Sequence, residues 1–326
     1  MQKDLAKLVV ICGPTASGKT ELSLKLAKKY NGEIICADSR TIYQQMDIGT
    51  AKPQRDEKYN MKRDSYQKPI LINNIPHYMI DIVKPNKEFT VAEFKQKALK
   101  IIKGIHQRNK LPFLVGGTGL YISAIINNLD IPKVPPDKRL RKKLEKDIER
   151  RGLNYLWKKL LKLDPDAASF VQEKNPRRII RALEVCLKTK KPFSKLRKRG
   201  QKLFDVLEIG IKLPPKKLDQ KIDQRVEGMI KTGLIRETKD LTKKYSPSLP
   251  SLNTIGYQEI LSYLQNKITL KQATDLIKKN TRRYSRRQMT WFSAHGGSAS
   301  GGKKNKTIQW IDSLKKAEEL IKNFLA

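Results

Sequence analysis

Carboxylates are scarce in this chain: 32 Asp and Glu stand against 69 Lys and Arg, leaving a formal net charge of +37 over 326 residues. That deficit lies far from the near-neutral balance of enzymes that handle only small molecules. It points to a polyanionic partner, most simply nucleic acid; the plainer alternative is a proteome that decorates every surface with lysine. Cysteine is equally sparse. Cys12, Cys36 and Cys186 are odd in number, widely spaced and include no CxxC pair, which excludes a disulfide framework or a zinc site and leaves reduced core residues of a cytoplasmic protein. The three histidines, His77, His106 and His295, show no metal-ligand spacing. Long hydrophobic runs are missing too. The stretch Leu8 to Cys12 is far shorter than a signal or membrane span, so a soluble protein without a membrane partner is expected.

Hydrophobic residues make up 38% of the chain, enough to bury a sizeable core. Short β-branched runs alternate with segments of helical period: LVVIC then ELSLKLAKKY, EIICAD, HYMIDIV then FTVAEFKQKALKIIKGI, PFLVGG then LYISAIINNL. Strand and helix in alternation predict a parallel sheet flanked by helices, and VLEIGIKL at 206–213 reads as one more strand of that sheet. Between them, residues 128–203 open on the Pro-rich IPKVPPDK and continue as helices only. Residues 132 to 200 hold 23 Lys and Arg against 8 Asp and Glu, so the positive charge is concentrated there. The expected organisation is an α/β core from 1–127 and 204–326, interrupted by a basic helical insertion at 128–203. After a Gly/Ser-rich stretch, HGGSASGG, a terminal helix is expected.

GPTASGKT, residues 13–20, satisfies G-x-x-x-x-G-K-[ST] and has a strand before it and a helix after it. The fold class is therefore α/β with a P-loop NTPase-like sheet. Gly13, Pro14, Thr15, Ala16, Ser17 and Gly18 form a loop whose amides converge on phosphate oxygens. The helix N-terminus adds partial charge, Lys19 a full one, and Thr20 a hydroxyl for Mg²⁺. The motif specifies phosphate without saying whose. A kinase also wants a carboxylate for Mg²⁺ at a strand end, and Asp38 and Asp81 both qualify.

The segment ADSRTIYQQMDIGTAKP, about twenty residues beyond the P-loop, resembles the signature of the tRNA dimethylallyltransferases. The resemblance continues in order through HYMIDIVKPNKEFTVAEF, VGGTGLYI, NPRRIIRALEV, EGMIKTGLIRET, NTIGYQEI and RRYSRRQMTWF, from Val10 to about Phe292. It implies transfer of a five-carbon dimethylallyl group from its diphosphate to N6 of adenosine 37, beside the anticodon of tRNAs reading codons that begin with U. The P-loop then holds the leaving diphosphate with Mg²⁺ and consumes no ATP.

By the same resemblance Asp38 is the general base that removes the N6 proton, its plainer alternative being an N-cap or Mg²⁺ carboxylate. Arg225 corresponds to a second cation on the diphosphate; alone it reads equally as a solvated helix residue. Thr118 corresponds to a residue that contacts the tRNA and positions the base, where otherwise it is a capping threonine. Ser39, Arg40 and Thr41, Arg141, Arg177, Arg178 and Arg181, Asn253, Gly256, Tyr257 and Gln258, and Arg286, Arg287 and Gln288 are the expected tRNA contacts. Asn175 and Pro176 read as cap and first turn of a helix with arginines 177, 178 and 181 on one side and Ile180, Leu183 and Leu187 on another. Ile277, Tyr284 and Trp291 read as an apolar seam and not as stacking platforms.

The segment KPQRDEKYNMKRDSYQKPILINNIPHY is longer and more basic than the family pattern, Cys36 stands where a small hydroxyl residue is common, and SAHGGSASGGKKN follows Trp291-Phe292. No zinc-finger extension follows, which favours a bacterial-type enzyme, expected to be monomeric. The rival readings are an ATP-dependent P-loop kinase, an adenylate isopentenyltransferase acting on free nucleotide, and a non-enzymatic RNA-binding protein.

Overall fold

The computed structural model describes residues 5–56, 66–132, 134–196, 199–294 and 307–326. In chain order the first half runs β1 (Ala6–Cys12), α1 (Lys19–Lys29), β2 (Gly32–Cys36), β3 (Ile70–Ile72), β4 (Ile75–Tyr78), α2 (Val91–Gln107), β5 (Leu111–Gly116) and α3 (Gly119–Ile126). The insertion follows as α4 (Lys138–Arg151), α5 (Leu153–Leu163), a 3-10 turn (Pro165–Ser169), α6 (Pro176–Thr189) and the single turn α7 (Phe193–Leu196). The chain then returns through β6 (Phe204–Ile211), α8 (Pro215–Lys231), α9 (Leu234–Lys244), α10 (Tyr257–Leu264), α11 (Leu270–Ser293), β7 (Ile308–Ile311) and α12 (Leu314–Leu325).

Among the described residues seven strands form one sheet in the order β3-β4-β2-β5-β1-β6-β7, parallel except for β3. β1 is central and Leu8 to Cys12 have no exposed surface, as expected of a strand covered on both faces. β6 pairs with β1 along its length, from Ala6 opposite Phe204 to Cys12 opposite Gly210. The sheet therefore closes across the insertion. One face packs Phe94, Ala98, Ile101 and Ile105 of α2 with Tyr121 and Ile125 of α3. The other packs Leu26 and Ala27 of α1 with Ala317 and Ile321 of α12. α2 starts where it does because Thr90 and Glu93 form a reciprocal capping box.

Two departures from the sequence reading have local causes. HYMIDIV is a strand only as far as Tyr78; Met79 and Asp81 turn into the left-handed region with φ of 64° and 55°, which ends the ladder. β3 and β7 are edge strands of three and four residues, too short to show an alternation.

The insertion has its own apolar centre, in which Leu144, Leu156, Leu160, Ile179 and Leu183 are buried. Asn175 caps α6 by accepting from Arg178 N at 3.2 Å, and Pro176 occupies its first turn. Leu187, expected on the packed face, is exposed. The two chain crossings into the insertion are pinned together. Leu129 and Arg199 form an antiparallel bridge, Gly200 N donates to Asn128 O at 3.1 Å, and the Asn128 amide donates to Gln201 O at 3.0 Å. The Gly/Ser-rich segment 296–302 and His295 lie outside the described residues.

Candidate active site

Three adjacent strands end together. β2, β5 and β1 are neighbours, and the residues that follow them are Asp38, Thr118 and the P-loop. Cys12 is level with Gly116 and Cys36 with Val115. Open α/β sheets bind ligands at this carboxyl end. The loops touch through backbone: Ala37 N donates to Val115 O at 2.7 Å and Thr118 N to Ala37 O at 3.2 Å. A Cβ at residue 116 would fall 2.1 Å from the Ala37 oxygen, so only glycine allows this approach.

Thr118 completes the link through its side chain. Ser39 N donates to Thr118 Oγ1 at 3.0 Å, and that hydroxyl lies 3.5 Å from Ser39 Oγ. Asp38 is half-buried and its Oδ1 accepts from Arg40 N at 2.7 Å. Among the described residues no donor engages Oδ2.

On the other side of the site, Lys19 Nζ donates to Pro14 O at 2.6 Å. Burial pushes the Lys19 amine down to about 8, the Arg225 charge pushing the same way and Asp38 opposing both. Arg225, on α8, donates from Nη1 to Thr15 Oγ1 at 3.1 Å. Two cations thus flank the loop, with Asp38 in electrostatic reach of each. The Ser17 hydroxyl is buried with no hydrogen-bond partner among the described residues. Leaving such a group unpaired costs on the order of 1–3 kcal/mol, and an anion in the loop would recover it. Thr20 is exposed in the first turn of α1.

Asp81, the second carboxylate offered for a metal, is excluded from that role. It is buried and paired with Lys52 and Arg55. Among the described residues no group of three His, Cys, Asp or Glu could hold a metal. Burial raises the thiols of Cys12, Cys36 and Cys186, that of Cys36 up to about 12, which disfavours the reactive thiolate.

Tyr284 was missed. Expected in an apolar seam, it is half-buried, and its phenol is pushed up to about 12 by burial first and then by the Asp38 charge, with Thr118 acting the other way. Its neighbour Ile277 is fully core, and nothing in the spacing separates the two environments.

The expected tRNA contacts divide. Arg40, Arg177, Asn253, Arg286 and Arg287 are exposed, and Ser39, Arg178 and Gln258 are half-buried. Arg141 and Arg181 both bond the buried Glu184. Thr41, Gly256, Tyr257 and Gln288 are buried and turned inward. Thr41 faces Cys36 Sγ at 3.3 Å. Gly256 is buried at the start of α10 with φ +98°, a turn requirement and not an open approach. Tyr257 has no exposed surface and donates its hydroxyl to Glu237 at 2.7 Å. Glu237 also accepts from the amides of Asp47, Ile48 and Gly49, so this pair anchors the loop downstream of Asp38. Glu237 and Glu184 were invisible to sequence reasoning because only tertiary packing assembles their donors.

A family model described as IPP transferase matches residues 41–295, and one described as isopentenyl transferase matches residues 6–70. A tRNA dimethylallyltransferase of Acetivibrio thermocellus is 42% identical over 322 residues, 97% of this chain and 95% of that protein. One from Halothermothrix orenii is 45% identical, over 89% of this chain and 85% of that protein. Among solved structures, a tRNA isopentenylpyrophosphate transferase from Bacillus halodurans is similar with a TM-score of 0.66 at 38% identity, covering 98% of this chain and 95% of that one. A eukaryotic dimethylallyltransferase, described as acting on tRNA, gives 0.68 at 29% identity, covering 89% and 70%. With one model spanning most of its length and relatives above 40% identity along nearly all of it, the chain belongs to the IPP transferase family.

Proposed function

We propose that this protein transfers a dimethylallyl group from dimethylallyl diphosphate to N6 of adenosine 37 in tRNAs that read codons beginning with U. The observation that carries this reading is the meeting of an anion cradle and a carboxylate at one sheet end, where Ser39 N, next to the carboxylate, donates to Thr118 Oγ1 at 3.0 Å. In the reaction the bond from C1 to the diphosphate oxygen breaks, the bond from C1 to N6 forms, and the N6 proton passes to Asp38. An adenine amine is a weak nucleophile because its lone pair is delocalised, so a base within reach lowers the barrier. Lys19, Arg225 and the loop amides stabilise charge as it gathers on the leaving group.

The donor set fits a divalent cation of the Mg²⁺ type. The exposed Thr20 hydroxyl stands at the helix N-terminus, among the described residues without an all-protein cage around it, and Mg²⁺ characteristically keeps several waters and binds through substrate phosphates. When bound, it would neutralise diphosphate charge. The exposed Arg177 and half-buried Arg178 of the insertion, with Arg286 and Arg287 of α11, supply cations for the anticodon stem-loop from two elements. A loop base is cheap to extrude toward Asp38.

The test is incubation with labelled dimethylallyl diphosphate, Mg²⁺ and either tRNA or AMP, without ATP. Label in tRNA is the expected result; label in AMP alone makes the enzyme an adenylate prenyltransferase, and label in neither acceptor overturns the reading.

A further inference from the structure

Gln288 is a neutral side chain whose every polar atom is spent inside the protein. It lies on α11 with 6% of its surface exposed. Its Oε1 accepts from Thr15 N, in the P-loop, at 2.8 Å. Its Nε2 donates to Gly117 O, beside Thr118, at 2.9 Å. The carboxamide therefore spans the gap between the diphosphate cradle and the turn that holds the Asp38 loop. Its orientation is fixed, because a reversed amide would set donor against donor and acceptor against acceptor. A Cβ at residue 117 would fall 2.2 Å from Nε2, so glycine there makes room for this bridge.

We propose that Gln288 is a positioning residue that sets the separation between the leaving group and the acceptor, acting through Thr15 and Gly117 and not through RNA. This rests on the transferase reading above. In-line attack needs the reacting atoms about 3–3.5 Å apart. The two halves of the site come from different strand ends, and a shift of one against the other changes the rate without removing any substrate contact.

Two variants test this. Gln288→Met keeps the length of the side chain and removes both bonds. Gln288→Glu keeps an acceptor for Thr15 N but turns a carboxylate on the Gly117 oxygen, and serves if the first variant folds poorly. The expected result is a kcat lowered about 10- to 100-fold with KM for dimethylallyl diphosphate and for an anticodon stem-loop within about threefold of wild type. Hydrogen exchange at the Thr15 amide should speed up in Gln288→Met and stay protected in Gln288→Glu. Loss of stem-loop affinity at unchanged kcat, or unchanged Thr15 exchange in Gln288→Met, would overturn the proposal. If wild-type protein transfers no label, the functional reading fails, while the exchange measurement still decides whether Gln288 is the bridge.

Discussion

Arg141 meets Glu184 in two parallel hydrogen bonds, Nε to Oε1 and Nη2 to Oε2, each 2.8 Å long. Glu184 has no exposed surface, and its oxygens also accept from Asp137 N at 2.7 Å and Arg181 Nη1 at 2.5 Å. Bidentate, charge-assisted pairing of this kind is geometrically demanding. It joins the start of α4 to the middle of α6 at the heart of the insertion.

Glu184→Gln should therefore destabilise the protein by about 3 kcal/mol, the low end for breaking a buried pair because both arginines keep one side in solvent. Denaturant titration measures it. Burial works to raise the Glu184 carboxyl, and the bonds from Arg141, Asp137 N and Arg181 overcome it, so the group titrates below its ordinary 4.5. A depressed carboxylate stabilises the fold above its unfolded pKa and ceases to do so as pH falls through the folded value. Wild-type stability should drop on acidification below about 4.5, and Glu184→Gln should lose less over the same range.

Arg177 and Arg178 should behave differently from Arg141 and Arg181. Replacing Arg177 or Arg178 by alanine should lower the salt dependence of tRNA binding by about one unit of slope each, with little change in stability. Replacing Arg141 or Arg181 should cost stability first. Binding isotherms at several salt concentrations, with parallel melting curves, separate the two pairs.

Asp38→Asn should bind the stem-loop and dimethylallyl diphosphate much as wild type does while transfer falls about 10²- to 10⁴-fold, the usual contribution of a general base. Single-turnover transfer at saturating substrates checks it; turnover within a few-fold of wild type would remove Asp38 from that role.

Because burial and Arg225 hold the Lys19 amine near 8, its charge fades as pH rises through that value. Affinity for dimethylallyl diphosphate should weaken from pH 7 toward pH 9. Lys19→Met should bind more weakly throughout and lose that slope. Calorimetric titration across the range is the measurement.

The buried runs and the glycine loop were legible because each encodes its environment locally: Leu8 to Cys12 could only be covered, and GPTASGKT could only turn between strand and helix. The return of the chain into the same sheet at β6 was legible as well, since a strand of that composition needs two neighbours. What escaped were relations between distant residues. Gln288 and Thr15 are 273 positions apart, and no pattern in either segment names the other. Charge was misleading in the same way, because a guanidinium reads alike in sequence whether it meets a phosphate, as proposed for Arg177, or a buried carboxylate, as Arg141 does. Tyr284 belongs to this class, its helical spacing being that of the core while its hydroxyl end faces Thr118 and Asp38.

The pinned neck at Asn128 and Arg199 has a consequence for how such a molecule could arise or be altered. The chain leaves α3 and enters β6 through adjacent residues, so the covalent stem of the insertion is about as wide as a hairpin turn. Replacing the insertion by a tight connection between Asn128 and Gly200 would leave α3 on one side and β6 on the other with the ends they already have. On the proposed reading, the basic surface of the insertion can change while the sheet end that carries Asp38 and the P-loop stays as it is.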